Sequence, residues 1–441
     1  MAWPWGKVKS VSRTQKTAGP TPPIRPAAAA PASPAASARQ SSLRTSNLAL
    51  LANQVFASGD PISRADVAAA TGMTRSTASR LADELVAAGI LTELEPTHPT
   101  GPGRPAVPLA PASGTFVAVG QEVNVSRMAV RVIDLSGEVL AERVVVDDFE
   151  SSDPAQVLPR LAALTTDVLA LDAVRRARKV GVALALPGLV YHDRLLRAPN
   201  LAWRDLAPAP LLADALAPDS LDLHLGNEAS FGALTAGRTR PAGPYSTPSC
   251  IYLSGEIGIG AALVREGRLV EGDHGFAGEI GHIQVDPDGP ECTCGNRGCL
   301  ERYAGRRLIL AAAGLPTTAR PDELVAAWRT GAPAARKAVS RTARALGVGL
   351  GAAINLLDVS TVVLGGHLAP LTDILRPELE AELEHRVLAS PWARPTIVTA
   401  PDDHMPGATG AAWSLLETVV ADPAAWICRG PARRAAPADG S

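Results

Sequence analysis

From Ser41 onward, Leu48, Leu51 and Val55 recur at the i, i+3, i+7 spacing of one helical face until Gly59 ends the pattern, which predicts a first helix. Ser63 and Asp66 form an S-x-x-D box that opens a short second helix through Val67 and Ala70, and Gly72 supplies the turn after it. Thr74 then caps a third helix whose Leu81, Leu85 and Ala88 face inward, leaving Arg75, Ser76, Thr77, Ser79 and Arg80 outside near its N-terminal end. Helix, turn and polar-tipped helix is a helix-turn-helix pattern. The following GILTELEP and the stretch to Leu109, interrupted by THPTGPGRPAVP, suit a two-stranded wing with a glycine- and proline-rich tip.

Beyond Ser113 the pattern changes to short apolar strands alternating with longer helical stretches, the mark of an α/β region with both sheet faces covered. Strands are expected at TFVAVG, RMAVRVIDL, VGVALAL, LDLHLG, CIYLSG and TVVLGG, and helices at residues 154–177 and 336–356. The Pro-, Ala- and Ser-rich residues 1–40 show no periodicity able to bury a face and read as a disordered basic arm. Residues 426–441 read as a disordered tail, with the DNA-binding domain and linker at 41–112 and the α/β domain at 113–425.

A chain of 441 residues, 46% hydrophobic and 20% charged, has the apolar material for more than one domain. Its 42 basic and 44 acidic residues give a net charge of −2, so any nucleic-acid binding is regional instead of a bulk electrostatic coat. No apolar run approaches the length of a membrane span, and MAWPWGKVKS lacks the apolar stretch and cleavage site of a secretory signal. The expectation is a cytoplasmic chain with no membrane contact.

Three of the five cysteines crowd into the segment GEIGHIQVDPDGPECTCGNRGCLERYAG, where His282 precedes Cys292, Cys294 and Cys299. One imidazole and three thiolates make a closed tetrahedral set for a structural Zn2+, and Gly295 and Gly298 let the chain fold tightly around it. The competing reading is free or disulfide-bonded cysteines beside an unrelated histidine; a C-x-C disulfide is strained, and the cytoplasm is reducing.

On this string, and on APNLAW, LHLGNEAS and VVLGGHLA, the chain resembles the ROK family of repressors and sugar kinases. The resemblance covers residues 113–425 and implies a two-lobed actin-like, ribonuclease-H-like α/β fold; the preceding winged helix-turn-helix matches the repressor branch. It carries the sugar contacts of the family onto Asn200, Asn227, Glu228, Glu279, His282 and Glu301, whose amide and carboxylate groups suit the hydroxyls of a sugar. It also implies a fixed ring for His282, held by the metal with its face toward the pocket.

The same resemblance argues against kinase chemistry. Where family kinases turn through an acidic residue and Gly-Gly-Thr to cradle ATP phosphates, this chain has GQEVNVSRMAV, with Glu122, Asn124, Val125 and Ser126. A second phosphate turn reads LSGEIGIG and carries Glu256 and Ile257, and Glu228 stands in place of the catalytic aspartate. Gly365 and Gly366 match the glycine pair near the nucleotide base but equally suit a tight turn.

The sequence reading is therefore a sugar-responsive transcriptional regulator, most simply a repressor. Arg75, Ser76, Thr77, Ser79 and Arg80 are its readers of operator DNA, with Arg104 in GPGRP as a minor-groove hook or an ordinary wing tip. Its effector is expected to be a sugar or sugar phosphate, and two half-sites call for a homodimer or homotetramer. The alternatives are an ATP-dependent sugar kinase with an accessory DNA-binding domain, and a regulator controlled by a protein partner.

Overall fold

The computed structural model describes residues 37–95 and 107–428. Helix α1 (Ser37–Ala57), strand β1 (Ile62–Ser63), α2 (Arg64–Thr71), α3 (Arg75–Ala87), β2 (Leu91–Glu93) and β3 (Pro108–Pro111) form the helix-turn-helix region. The expected wing pair β2 and β3 is antiparallel, and β1 adds a third strand on the other edge of β3. Helix α1 begins four residues inside the stretch expected to be an arm, because Ser37 to Gln40 contain no proline and lie in phase with the helix that follows. The rest of that arm, the wing tip with Arg104 and the end of the chain from residue 429 lie outside the described residues.

The first lobe of the α/β region runs through β4 (Phe116–Val123), β5 (Arg127–Asp134), β6 (Val139–Val146), α4 (Pro154–Leu169), α5 (Asp172–Arg176) and β7 (Arg178–Leu186). A small meander follows, of β8 (Leu189–Tyr191), β9 (Arg194–Ala198) and β10 (Trp203–Leu206), and then α6 (Ala213–Leu216), β11 (Leu223–Asn227) and α7 (Glu228–Thr235). The single helix expected over 154–177 is two, because the chain turns extended at Leu171. The sheet order is β11-β7-β4-β5-β6, with β11, β7 and β4 parallel and β4, β5 and β6 antiparallel.

The second lobe contains β12 (Cys250–Gly255), β13 (Ile259–Arg265), β14 (Arg268–Val270), α8 (Glu301–Ala304), α9 (Arg306–Ala312), α10 (Pro321–Arg329) and α11 (Pro333–Leu357). It continues through β15 (Thr361–Leu364), α12 (Thr372–Arg386) and β16 (Thr396–Thr399), in the sheet order β14-β13-β12-β15-β16. Each sheet has its own apolar core: Val119, Leu161 and Leu184 in the first lobe, and Leu253, Leu346 and Leu379 in the second.

The chain then returns to the first lobe as α13 (Pro406–Ala421) and α14 (Pro423–Cys428). Helix α13 is apolar nearly all round and buried, which suits a helix covered on every side. It lies so close to β4 that a Cβ on Gly120 would stand 1.8 Å from the Ala408 carbonyl oxygen. Leu416, Val419 and Val420 of α13 share one apolar cluster with Leu48, Leu51 and Phe56 of α1. The expected tail is shortened accordingly: Trp426 meets Phe116 edge-to-face at 6.0 Å, with Arg178 over both rings, and the described chain runs helically to Cys428.

Candidate functional site

The third helix of the N-terminal region has the shape its sequence dictates. The Thr74 hydroxyl accepts the N–H of Thr77 at 3.2 Å, which fixes the first turn of α3, while Ala78, Leu81, Ala82 and Leu85 pack inward. Arg75, Ser76 and Arg80 stand exposed, with Thr77 and Ser79 partly so. These five are not equally free. The Thr77 hydroxyl lies 2.9 Å and that of Ser76 3.1 Å from the capping Thr74, and Arg80 pairs with Glu84 at 2.8 Å, a carboxylate that also takes Arg44 at 2.6 Å. Arg75 has no side-chain partner among the described residues.

Between the lobes, the residues expected to contact a sugar come together from distant parts of the chain. Gly258, in the turn from β12 to β13, is the meeting point: a Cβ there would stand 2.9 Å from Glu301 Oε2 and 3.0 Å from Asn200 Nδ2. Only glycine leaves the space in which these two groups face each other. Asn227 plays a structural part, since its Oδ1 caps α7 by accepting from Ala229 and Ser230 at 2.8 and 3.2 Å and its Nδ2 donates to the Gly188 carbonyl at 2.9 Å. That places Glu228 on the first turn of α7, beside the interlobe site.

His282, Cys292, Cys294 and Cys299 do gather, with one ligand atom from each lying within 4.8 Å of the others. The Cys294 and Cys299 sulfurs are 3.7 Å apart and His282 Nδ1 lies 3.9 Å from the Cys292 sulfur. A tetrahedral ion with bonds of about 2.3 Å has edges near 3.8 Å, which these two separations match. The loop is shaped for it: Gly295 and Gly298 adopt φ of +102° and +62°, and a Cβ on Gly298 would stand 1.6 Å from the Asp286 carbonyl oxygen. Arg197 of β9 donates to the Thr293 and Cys294 carbonyls at 3.3 and 3.5 Å, tying the loop to the first lobe.

Glu301 joins the cluster to the interlobe site. Its Oε1 lies 2.8 Å from the Cys292 sulfur and 3.7 Å from His282 Nδ1, while its Oε2 faces Gly258. The other ring nitrogen of His282 is 3.8 Å from Glu279, near but beyond hydrogen-bond distance. Burial holds the Glu279 carboxyl above its ordinary value, with His282 pulling the other way and Glu301 adding to the rise. Burial likewise raises the Cys292 and Cys299 thiols, so a metal entering the cluster must displace their protons.

The turn from Glu122 to Arg127 and the turn at Glu256 are bound to each other. Asn124 Oδ1 accepts the backbone N–H groups of Ser126 and Arg127 at 3.0 and 3.1 Å and the Ser126 hydroxyl at 3.1 Å. Glu122 Oε1 accepts from Asn124 Nδ2 and Arg127 Nε, both at 2.9 Å, and its Oε2 accepts the N–H of Ala408 at 3.0 Å. Arg127 then crosses to the second lobe, where Nη1 reaches Glu256 at 3.1 Å, and Ser126 Oγ lies 3.3 Å from the same carboxylate. Burial opposes the Arg127 charge, but Glu122, Glu256 and Glu228 outweigh it and hold the guanidinium above its ordinary pKa. Burial, with Glu122 and Glu256 adding to it, pushes Glu228 up to about 8 against the pull of Arg127 and Asn124.

Sequence reasoning did not single out Arg127, the cation that satisfies both acidic turns. The signal was present as an arginine directly after the acidic turn, but Arg127 and Glu256 are 129 residues apart and only the fold brings them together. It also missed Arg307, which pairs with Glu150 and, at 3.5 Å, with Asp148 across the lobes. Gly365 and Gly366 serve the tight turn: a Cβ on either would collide with Tyr252 or with the Gly255 backbone, and His367 behind them bonds the Ala304 carbonyl at 2.9 Å.

Comparison with known proteins agrees with this architecture. The ROK family profile matches residues 119–418, and an IclR helix-turn-helix domain profile matches residues 54–95. A xylose repressor of Caldicellulosiruptor bescii is 25% identical over 347 residues, covering 74% of this chain and 84% of that protein. An N-acetylglucosamine repressor of Escherichia coli is 25% identical over 359 residues, 78% of this chain and 86% of that one. Among solved structures, a ROK family transcriptional regulator described as a homolog of the E. coli MLC protein superposes with a TM-score of 0.70 at 24% identity, over 88% of this chain and all of that chain.

Proposed function

The chain belongs to the ROK family, and from that premise we propose that it is a DNA-binding transcriptional repressor whose ROK domain senses a sugar. The observation that carries this reading is that one chain joins a helix-turn-helix, with Arg75 exposed on a capped α3, to an interlobe site where Asn200 and Glu301 face each other over Gly258. The repressors among its relatives support the same reading.

In this reading Arg75, Ser76, Thr77, Ser79 and Arg80 meet operator DNA, Arg104 extends the contact from the wing, and two copies read two half-sites. Such a protein works where the DNA is, in the cytoplasm. Asn200, Glu228, Glu279 and Glu301 bind the hydroxyls of the effector, with His282 oriented by the cluster and Asn227 setting the start of α7. His282, Cys292, Cys294 and Cys299 hold Zn2+, which supplies a structural crosslink because all four positions come from protein. Sugar binding changes DNA affinity only so far as it favours one lobe arrangement over another.

The kinase reading is disfavoured by two turns that carry their own acceptors. Asn124 engages the turn amides of Ser126 and Arg127, and Glu256 stands beside them. The test is fluorescence anisotropy of the zinc-loaded protein on its own upstream DNA at fixed salt, with a panel of sugars. A specific complex that one sugar weakens or strengthens tenfold, about 1.4 kcal/mol of coupling, bears the proposal out. Sugar-dependent ADP formation lost in Glu228→Ala revives the kinase, and specific DNA binding that no sugar moves points to control by a protein partner.

A further inference from the structure

Resting on the sugar-sensing reading, we infer that the effector is an unphosphorylated sugar and that the interlobe site rejects sugar phosphates. At the end of the site beyond Gly258, Glu256, two residues away, meets Arg127 of the other lobe, which also holds Glu122. A phosphoryl group is bound by backbone N–H groups, helix N-termini and cations that have no other acceptor. The donors of the acidic turn and of the start of α13 are already engaged by the protein, while Arg306 Nε lies buried without a hydrogen-bond partner among the described residues.

The turn amides of Ser126 and Arg127 point at Asn124 Oδ1, at 3.0 and 3.1 Å. The first turn of α13, which offers the N–H of Ala408, is occupied by Glu122 at 3.0 Å. Arg127 is held between Glu122 at 2.8 Å and Glu256 at 3.1 Å, with Glu228 also within its field, and Arg306 approaches Glu256 at 3.9 Å. Asn124 and Glu122 thus sit where an anion's oxygens would sit, and both are buried. A phosphate arriving beside Glu228 would meet the carboxylates of Glu122 and Glu256 and would have to strip Arg127 from both. Each such like-charge approach is repulsive, and more so in a partly buried site than in water. A neutral hydroxyl meets no such barrier and can bond to Glu228 as donor or acceptor.

Calorimetric titration of the full-length, zinc-loaded protein tests this with D-xylose, D-glucose, D-mannose and N-acetyl-D-glucosamine, each against its 5- or 6-phosphate. The expected result is that at least one free sugar binds and its phosphate binds at least a hundredfold more weakly. A phosphate that binds as tightly as its parent sugar overturns the inference while leaving sugar sensing intact. If neither member of any pair binds or alters DNA affinity, the sensing reading falls, and the inference with it. Two variants probe the cause: Glu256→Gln removes a charge, and Asn124→Gly releases the amides of Ser126 and Arg127. In whichever variant keeps the wild-type melting transition, the discrimination against the phosphate should shrink at least tenfold; unchanged discrimination overturns the proposed cause.

Discussion

Glu122 accepts the backbone N–H of Ala408 at 3.0 Å, so the floor of the interlobe site is bonded to the first turn of α13. The far end of that helix reaches the DNA-binding region, where Asn53 of α1 donates to the Val420 carbonyl at 3.5 Å and Leu48, Leu51 and Phe56 share a cluster with Leu416 and Val419. One helix therefore touches the acidic turn at one end and, at the other, α1, which packs against the α3 proposed to read DNA. A displacement of the acidic turn on sugar binding has a direct path to α1.

Glu122→Gln tests that path, because it keeps the shape of the side chain while discarding the charge that holds Ala408 and Arg127. DNA affinity without sugar should change by less than about threefold, whereas the sugar-induced shift should fall to below about a third of its wild-type size. Anisotropy with and without sugar reads both quantities. A full sugar response in the variant would remove α13 as the carrier.

The two arginines of α3 should behave differently although the sequence treats them alike. Arg75 has no side-chain partner among the described residues, while Arg80 is held by Glu84, which Arg44 also engages. Arg75→Ala should weaken operator binding by about tenfold or more and flatten its salt dependence by about one ion. Arg80→Ala should cost less than about threefold, since the native charge is already neutralised locally. Equal losses would show that Arg80 leaves Glu84 when DNA arrives.

Cys294→Ser removes one ligand from the cluster at its more exposed corner. The expected outcome is loss of bound zinc by elemental analysis and a melting temperature lower by several degrees, because the loop from Cys292 to Cys299 also shapes Glu301 and, through it, the sugar site. Cys250→Ser is the control: that thiol lies buried in β12, outside the cluster, with its pKa pushed by burial up to about 11. Zinc content should be unchanged in it.

What the sequence made legible follows from what is local. Thr74, Leu81 and Leu85 declared α3 because capping and helical periodicity act within a few residues, and the soft ligands Cys292, Cys294 and Cys299 with His282 declared their cluster by type and spacing. The substitutions in the two turns were also readable against the kinase pattern. Their meaning was not, since the partners of Glu122 and Glu256 are Arg127 on the adjacent strand and Ala408 on a helix 286 residues away. Asn227 was read as a sugar contact, and its bonds to Ala229 and Ser230 add a capping role that the residue type alone did not announce. The break between α4 and α5 and the third strand β1 left too little sequence signal, being short elements fixed by packing.

Glu228 gives the protein a pH dependence with a definite sign. Its carboxyl is held near 8 by burial and by Glu122 and Glu256, far above the value of an unfolded chain near 4.5, so the folded protein binds the extra proton between those limits. The unfolded state binds fewer protons there, and the contribution of this group to stability is fully present below about pH 4.5 and declines as pH rises through about 8. Glu228→Gln fixes the neutral state. Its melting temperature should gain on that of the wild type as pH rises from about 4.5, with the gap widening up to about pH 8 and levelling off above it. Two melting curves that stay parallel from pH 6 to pH 9 would mean that Arg127 keeps Glu228 ionised throughout.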